Sequence, residues 1–490
     1  MLSDRENEVH LMIWEFDIMA RPAAGDPPAL PSPLTSETLL TGIERDLQTL
    51  IADLGDPSPP APGPGRPTVL PALALWSGLL VCVLHGFSAQ LALWRLLAVR
   101  GVWGQRFTVG RGAIYDRLER GTTAGLETLF ARISQVLHDR LTPYVDTTLA
   151  PFATEVVALD ETVLEKALKI LPAYREKQGR ALLPGKLATV FDLRRQQWCR
   201  AQMIEDVNER EQLHARDLVA GVPAKSLILC DLGYFAFAWF DDLTHAGYWW
   251  ISRLRRKVTY TPVHTFYKRN GIVDQLVWLG AYRADQAGEM VRLVQFSLEN
   301  RTYTYLTNVL DPQQLSLRDI AGLYARRWDI ELAFKLLKRE LHLHLLWSAK
   351  PAVLAQQVWA TLIIAQIVLA LWVEIAGRAK VAVFDVSLPL VLEYAPLLAA
   401  DGQDPIAVFV ERGRFARFIR PSRRTRNRAP VIRARSIKPP PPDLVTSRPA
   451  RYGTGQGSIP ITPATAIDFS PPPRVAIDPC RRGRGTGGRA

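Results

Sequence analysis

Two textures divide the chain. Over about residues 70–141, apolar positions recur at helical spacing, as in GLETLFARISQVLHDRL, and predict a set of helices. From Val156 the pattern changes to short apolar runs bounded by charge. EVVALDET predicts a strand ending in Asp160, and KLATVFDLRRQQWCRAQMIED predicts two strands joined by a charged turn at Arg194 and Arg195. NEREQLHARDLVAG predicts a helix and SLILCDLGYF a buried strand ending at Asp231. FAWFDDLTHAG then predicts a helix and YWWISRLR a further strand. Strands and helices in this order form a mixed α/β layer.

Residues 257–310 break that rhythm. KVTYTPVHTFYKRN, QLVWLGAY, MVRLVQFSL and RTYTYLTNVL are β-type runs and predict a β-rich insertion. A helix follows at 324–343, YARRWDIELAFKLLKRELHL, and an apolar helix near 351–376. Two uncharged runs, 67–94 and 351–373, are long enough to span a bilayer. The first contains Ser77, His85 and Gln90, and the second Gln356, Gln357 and Gln366. Buried core helices of a water-soluble protein account for them better than a membrane-associated structural protein does.

The ends carry little pattern. Residues 1–69 read as disordered or linker, with DPSPPAPGPGRP at 56–67. Residues 70–150 read as a helical N-terminal domain, in which GRGAIYDRLERG is either a DNA-contacting stretch or plain helix and loop. Residues 151–400 hold the α/β layer with its insertion. Residues 401–490 read as a tail rich in Arg, Pro and Gly, largely disordered without a partner. No internal repeat is present.

Charge sharpens this division. The formal net charge is +12, and residues 411–490 hold 18 Arg and Lys against 4 acids. The tail thus supplies all of the surplus, which suits a polyanionic partner. The four cysteines are far apart with no CxxC pair, which argues against a zinc ribbon or disulfide framework and suits a reducing cytoplasm. MLSDRENEVH has acids where a secretion signal has cations.

Candidate chemistry gathers on the 324–343 helix. At 100° per residue, with Tyr324 at zero, Arg327 falls at about 300°, Lys338 at about 320°, Glu331 at about 340° and Lys335 at about 20°. Leu323, Ile330, Phe334, Leu337 and Leu341 form an adjacent apolar stripe. Docking on that stripe holds the polar face at the edge of the core, where charges are felt more strongly than in water. A surface helix with two i,i+4 pairs, each worth about 0.2–0.5 kcal/mol, is the bland alternative. Asp160 and Asp231 at strand ends tip the balance, although each alone reads as a turn or capping residue. Three carboxylates from two strands and a helix are what a two-metal phosphoryl-transfer site needs. Arg327 and Lys338 would position the scissile phosphate. His342 and His344, two residues apart on a helix, diverge too far to share a metal.

With those residues in place, the chain resembles the bacterial DDE transposases of the IS-four insertion-sequence family over about residues 70–453. Tyr324, Arg327, Glu331 and Lys338 match that family's Tyr-(2)-Arg-(3)-Glu-(6)-Lys signature without a gap. ALDET and DLGYF resemble its two aspartate motifs. The resemblance implies a ribonuclease-H-like fold with Asp160, Asp231 and Glu331 as a triad binding two Mg²⁺ ions, Mn²⁺ being able to substitute. It implies contacts from Tyr324, Arg327 and Lys338 to transposon-end DNA. Tyr303 falls where some members carry a tryptophan that stacks on a flipped base, and a plain strand aromatic is the alternative. Cut-and-paste transposition, a homodimer on transposon-end and target DNA, and a cytoplasmic, nucleoid-associated bacterial location follow from the same resemblance. No GxxxxGK[ST] motif is present. A catalytically inactive DNA-binding relative acting as a regulator is the alternative within that resemblance.

Overall fold

The computed structural model describes residues 69–448, apart from 88, 103–104, 165–184, 205–208, 210, 281–285, 349 and 423–427. The N-terminal linker and residues 449–490 of the tail lie outside the described residues.

The apolar runs seen in the sequence become one sheet. Its strands are β1 (Val156–Val163), β2 (Lys186–Asp192), β3 (Gln197–Ile204), β4 (Leu227–Cys230), β5 (Trp249–Arg253), β6 (Tyr260–Arg269), β7 (Ile272–Leu279), β8 (Val291–Leu298) and β9 (Arg301–Thr307). They lie in the order β3-β2-β1-β4-β5-β9-β8-β7-β6. β1, β2 and β3 pair antiparallel, whereas β4 runs parallel to β1 and β5 parallel to β4. The β-rich insertion continues this sheet: β9 pairs antiparallel with β5, and β8, β7 and β6 follow as an antiparallel meander.

Side chains alternate between two cores, as strand geometry requires. Val156 and Ala158 face one apolar cluster, and Val157 and Leu159 face the other. The second cluster is closed by α5 (Glu211–Ala220) and α6 (Phe237–His245), through Leu218, Val219, Trp239 and Phe240. The first is shared by α1 (Ala72–Leu84), α2 (Gln90–Arg95), α3 (Arg111–Arg120), α4 (Ala124–Leu141), α7 (Leu317–Arg326), α8 (Trp328–Lys335) and α9 (Pro351–Ala379). The helices before residue 150 therefore bury their apolar faces in the same core as α9 and the sheet.

α9 is long and apolar enough to cross a membrane, yet 89% of its most apolar window is buried among these elements. Its glutamines explain the placement. Gln366 donates to Ser134 Oγ of α4 (2.8 Å) and Trp198 O of β3 (2.9 Å), and accepts from Trp198 N (2.9 Å). One amide thus joins an outer strand of the sheet to two helices, with both its oxygen and its nitrogen satisfied.

Two expectations need correction. The 324–343 segment is not one regular helix. α7 ends and α8 begins at Arg327, and a wide π-type turn, Leu336–Glu340, closes the segment. The tail, expected to be largely disordered from 401, forms α11 (Pro405–Arg412) after α10 (Leu388–Ala400), and residues 428–448 pack on the insertion. Lys438 N donates to Phe266 O (2.9 Å) and Met290 N to Thr446 O (2.7 Å), while Arg448 stacks on Trp278 at 4.7 Å. Ile437 and Leu444 add apolar cover over Phe266, Leu276 and Met290. Two aliphatic side chains and a few main-chain bonds hold a segment that composition marks as unstructured.

Candidate active site

β1 and β4 are in register only as far as Leu159 and Cys230. Beyond that point the next residues, Asp160 and Asp231, emerge side by side. Asp160 is not a strand end: β1 continues to Val163, paired with β2 alone. Glu161 points to the opposite face, where its Oε2 lies 2.5 Å from Lys186 Nζ and braces that overhang. Asp231 is extended (φ −75°, ψ 168°) and opens the short 3-10 turn Leu232–Tyr234.

The third acid arrives on α8, which packs against β1. Ser316 caps the preceding α7 by accepting from Asp319 N at 3.2 Å. Arg327 keeps a right-handed helical backbone (φ −51°, ψ −32°) at the break, so α8 follows α7 directly. Arg326 turns towards Asp329 (2.6 Å) and Leu193 O (3.1 Å), and Arg327 turns towards the acids. The expected apolar stripe of Leu323, Ile330, Phe334, Leu337 and Leu341 is buried throughout. That burial presents Glu331 to the cleft.

Arg327 binds all three carboxylates. Its Nη1 is 3.2 Å from Asp160 Oδ2, and its Nη2 is 3.2 Å from Glu331 Oε1 and 3.7 Å from Asp231 Oδ1. Three acids face one guanidinium, so the cluster has surplus negative charge. Burial pushes the Asp160 carboxyl up to about 7; Arg327 opposes the shift and Asp231 and Glu331 add to it. Burial also works against the Arg327 charge, but Asp231, Asp160 and Glu331 hold that guanidinium more firmly protonated than usual.

The donor set suits a hard divalent cation, being carboxylate oxygen throughout. Among the described residues no group of three acids, histidines or cysteines is drawn together as tightly as a bound ion requires. Here the guanidinium stands among the acids and spaces them. The residues fit such an ion in chemistry and charge, and Arg327 occupies the space between them.

The other expected residues surround this cluster at different depths. Tyr324 is buried, its hydroxyl 3.5 Å from Cys230 O and its ring 5.9 Å from the Arg327 guanidinium. Burial raises its phenol well above the usual range. It braces the end of β4 beneath Arg327. Lys338 Nζ reaches Val163 O at 2.9 Å, at the tip of β1. Tyr303 lies on β9, two strands from β4, with its ring stacked on Phe296 at 5.4 Å. Phe296 in turn meets Tyr305, and Tyr305 meets Tyr324, so a line of rings runs from Tyr303 to Arg327. The sequence reading passed over Trp328. It is 48% exposed, with Lys335 Nζ 5.8 Å from its ring centre, on the stripe that carries Glu331. Its signal was an aromatic three residues before Glu331, off the apolar stripe.

Comparison with known proteins finds likenesses to transposases. The family model of the transposase DDE domain matches residues 151–367. The transposase InsG for insertion sequence element IS4 of Escherichia coli (strain K12) is 23% identical over 177 residues. That match covers 34% of this chain and 39% of the relative, so the chain spans well under half of the relative's length. A cryo-EM structure of a piggyBac transposase synaptic complex with hairpin DNA aligns over 82% of this chain and 86% of that one, at 8% identity and a TM-score of 0.37.

Proposed function

We propose, on the match of residues 151–367 to the transposase DDE domain and the likeness to an IS4 transposase, that this chain cuts and joins DNA at the ends of an insertion sequence. The observation that carries the reading is the convergence of Asp160, Asp231 and Glu331, from β1, β4 and α8, on one guanidinium. The order β3-β2-β1-β4-β5, antiparallel then parallel, supports a ribonuclease-H-like core with its acids at the strand tips.

Asp160, Asp231 and Glu331 would hold two Mg²⁺ ions, or Mn²⁺ in their place. Bound there, the ions supply Lewis acidity at the attacking and leaving oxygens of an in-line displacement. Arg327 leaves the acids for the scissile phosphate, which its planar fork can grip through two oxygens. Tyr324 keeps Arg327 aimed, and Lys338 marks the path of the strand past the tip of β1. Hydrolysis of one strand frees a 3′-hydroxyl. That hydroxyl attacks the opposite strand to form a hairpin, and the reopened 3′ ends attack target DNA. Pairing the two ends calls for a homodimer on DNA, working at the nucleoid in the cytoplasm.

The test is strand cleavage by the full chain in Mg²⁺, on duplexes carrying the inverted repeats that flank its gene. Asp160→Asn, Asp231→Asn and Glu331→Gln are each expected to lower the rate by at least about a thousandfold, about 4 kcal/mol, without loss of fold. Cleavage by all three at the wild-type rate would overturn the reading. DNA binding by the intact chain without cleavage would mark an inactive regulator instead.

A further inference from the structure

β5 runs parallel to β4 and so delivers its C-terminal end to the same edge of the sheet as Asp231. The residues leaving there are Arg253, Leu254, Arg255, Arg256 and Lys257, and the four cations among them are all exposed. Among the described residues none of the four has a carboxylate partner. The backbone is nevertheless fixed. Leu254 N donates to Thr304 O (3.0 Å), Val258 N to Arg255 O (3.3 Å), and Lys257 turns the chain at φ +66°.

Strand alternation sets the direction of this loop. Arg253 lies opposite Tyr305 across β5 and β9, and cross-strand neighbours share a face. Tyr305 and Ile251 belong to the core that contains Tyr324, whereas Trp250 belongs to the other. Arg253 therefore stands on the face of the sheet that bears Tyr324, Arg327 and the three acids. The next three cations carry that positive surface outward from the cluster.

We propose that Arg253, Arg255, Arg256 and Lys257 form a rail for the phosphodiester backbone, holding the DNA strand that enters the acid cluster. The inference rests on the transposase reading and extends it to the contact that keeps substrate in place. Exposed, unpaired cations on a short fixed loop grip phosphates without reading bases. Net negative charge at the acids repels a polyanion, and a row of cations beside them offsets that repulsion along the path of the strand.

The experiment measures binding of two duplexes, one carrying the flanking inverted repeat and one unrelated, by fluorescence anisotropy across a salt series. It compares the full chain with a triple variant, Arg255→Ala, Arg256→Ala and Lys257→Ala. Arg253 stays in place because it packs beside Tyr305. Each phosphate contact contributes about 0.9 to the slope of log affinity against log salt. The variant should show a slope shallower by about 2 to 3 and at least about tenfold weaker binding at moderate salt, on both duplexes alike. Arg255→Lys combined with Arg256→Lys should keep the wild-type slope. An unchanged slope in the alanine variant, or a loss confined to one duplex, overturns the rail. Failure of the wild-type chain to cut DNA overturns the transposase reading alone, because the salt slope decides the rail independently.

Discussion

Arg292 and Arg327 are both withdrawn from solvent among carboxylates, and they differ in how their charge is settled. Arg292 of β8 is fully buried and meets Asp274 of β7 side-on, Nε to Oδ1 and Nη2 to Oδ2, both at 2.7 Å. Its remaining nitrogen donates to Leu315 O at 2.6 Å. One cation meets one anion, every guanidinium nitrogen donates, and the pair ties the insertion to the loop that leads into α7. Arg327 meets three anions, each still partly open to solvent, with side chains 18–39% exposed. A neutral, closed pair serves the fold. An oversupply of carboxylate that one guanidinium cannot neutralise leaves a place for further positive charge.

The largest expected effect lies at the closed pair. Arg292→Ala leaves Asp274 charged and dry, and should cost about 3–5 kcal/mol in urea denaturation. The loop at residues 311–315 loses its anchor too, so α7 and α8 should lose hydrogen-exchange protection along with the insertion. A cost below about 1 kcal/mol would mean that water reaches Asp274 and the pair is not closed.

Next comes a dependence of Mg²⁺ stabilisation on pH that the open cluster should show. The Asp160 carboxyl is raised to about 7. Without a cation, its contribution to stability is present below its ordinary range and is lost as pH rises through about 7. A divalent ion needs the ionised form, so stabilisation by Mg²⁺ should grow over the same interval. The limit is about tenfold in affinity per pH unit, about 1.4 kcal/mol. Melting temperatures with and without Mg²⁺ at about pH 6 and about pH 8 measure it, and Asp160→Asn should flatten the difference. Equal shifts at both pH values would remove Asp160 from the ion site.

Smaller still is the cost of removing the other arginine. Arg327→Ala should destabilise the apo chain by about 1 kcal/mol or less, because water can reach the three acids it leaves. Mg²⁺ should restore that loss and should not restore Arg292→Ala. If the two alanine variants unfold alike and neither responds to Mg²⁺, the acid cluster is structural and the two arginines do not differ in kind.

The two halves of the sheet were not equally legible from sequence. β1 and β4 are buried on both faces, so VVAL and LILC read as unbroken apolar runs, and the acids after them stood out. The stripe through Leu323, Ile330 and Phe334 gave the docking face of α7 and α8 correctly. The break at Arg327 was hidden, because it comes from two adjacent arginines drawn to different acids. That conflict exists only once β1, β4 and the Leu193 turn are assembled. The overhang of β1 past Asp160 was hidden for a similar reason, since β2 rather than local sequence extends it. The cations at 253–257 passed as the end of a strand, because their value depends on β5 lying parallel to β4.

The tail was the least legible part, and it supports the smallest prediction. Arg428 meets Glu299 at 2.8 Å, the third arginine–carboxylate pair of the series, with side chains 65% and 72% exposed. In that much water the pair is screened and its partners are hydrated when apart. Arg428→Ala should therefore change stability by about 0.2–1 kcal/mol at most, and less in high salt. The segment should stay in place regardless. Its hold comes from main-chain bonds such as Lys438 N to Phe266 O and Met290 N to Thr446 O, with Ile437 and Leu444 beneath. Salt does not weaken those contacts. Protection of the Lys438 and Met290 amides in hydrogen exchange should thus be unchanged by Arg428→Ala at low and high salt. Protection lost on adding salt would mean that charge, and not backbone pairing, fastens the tail to the insertion.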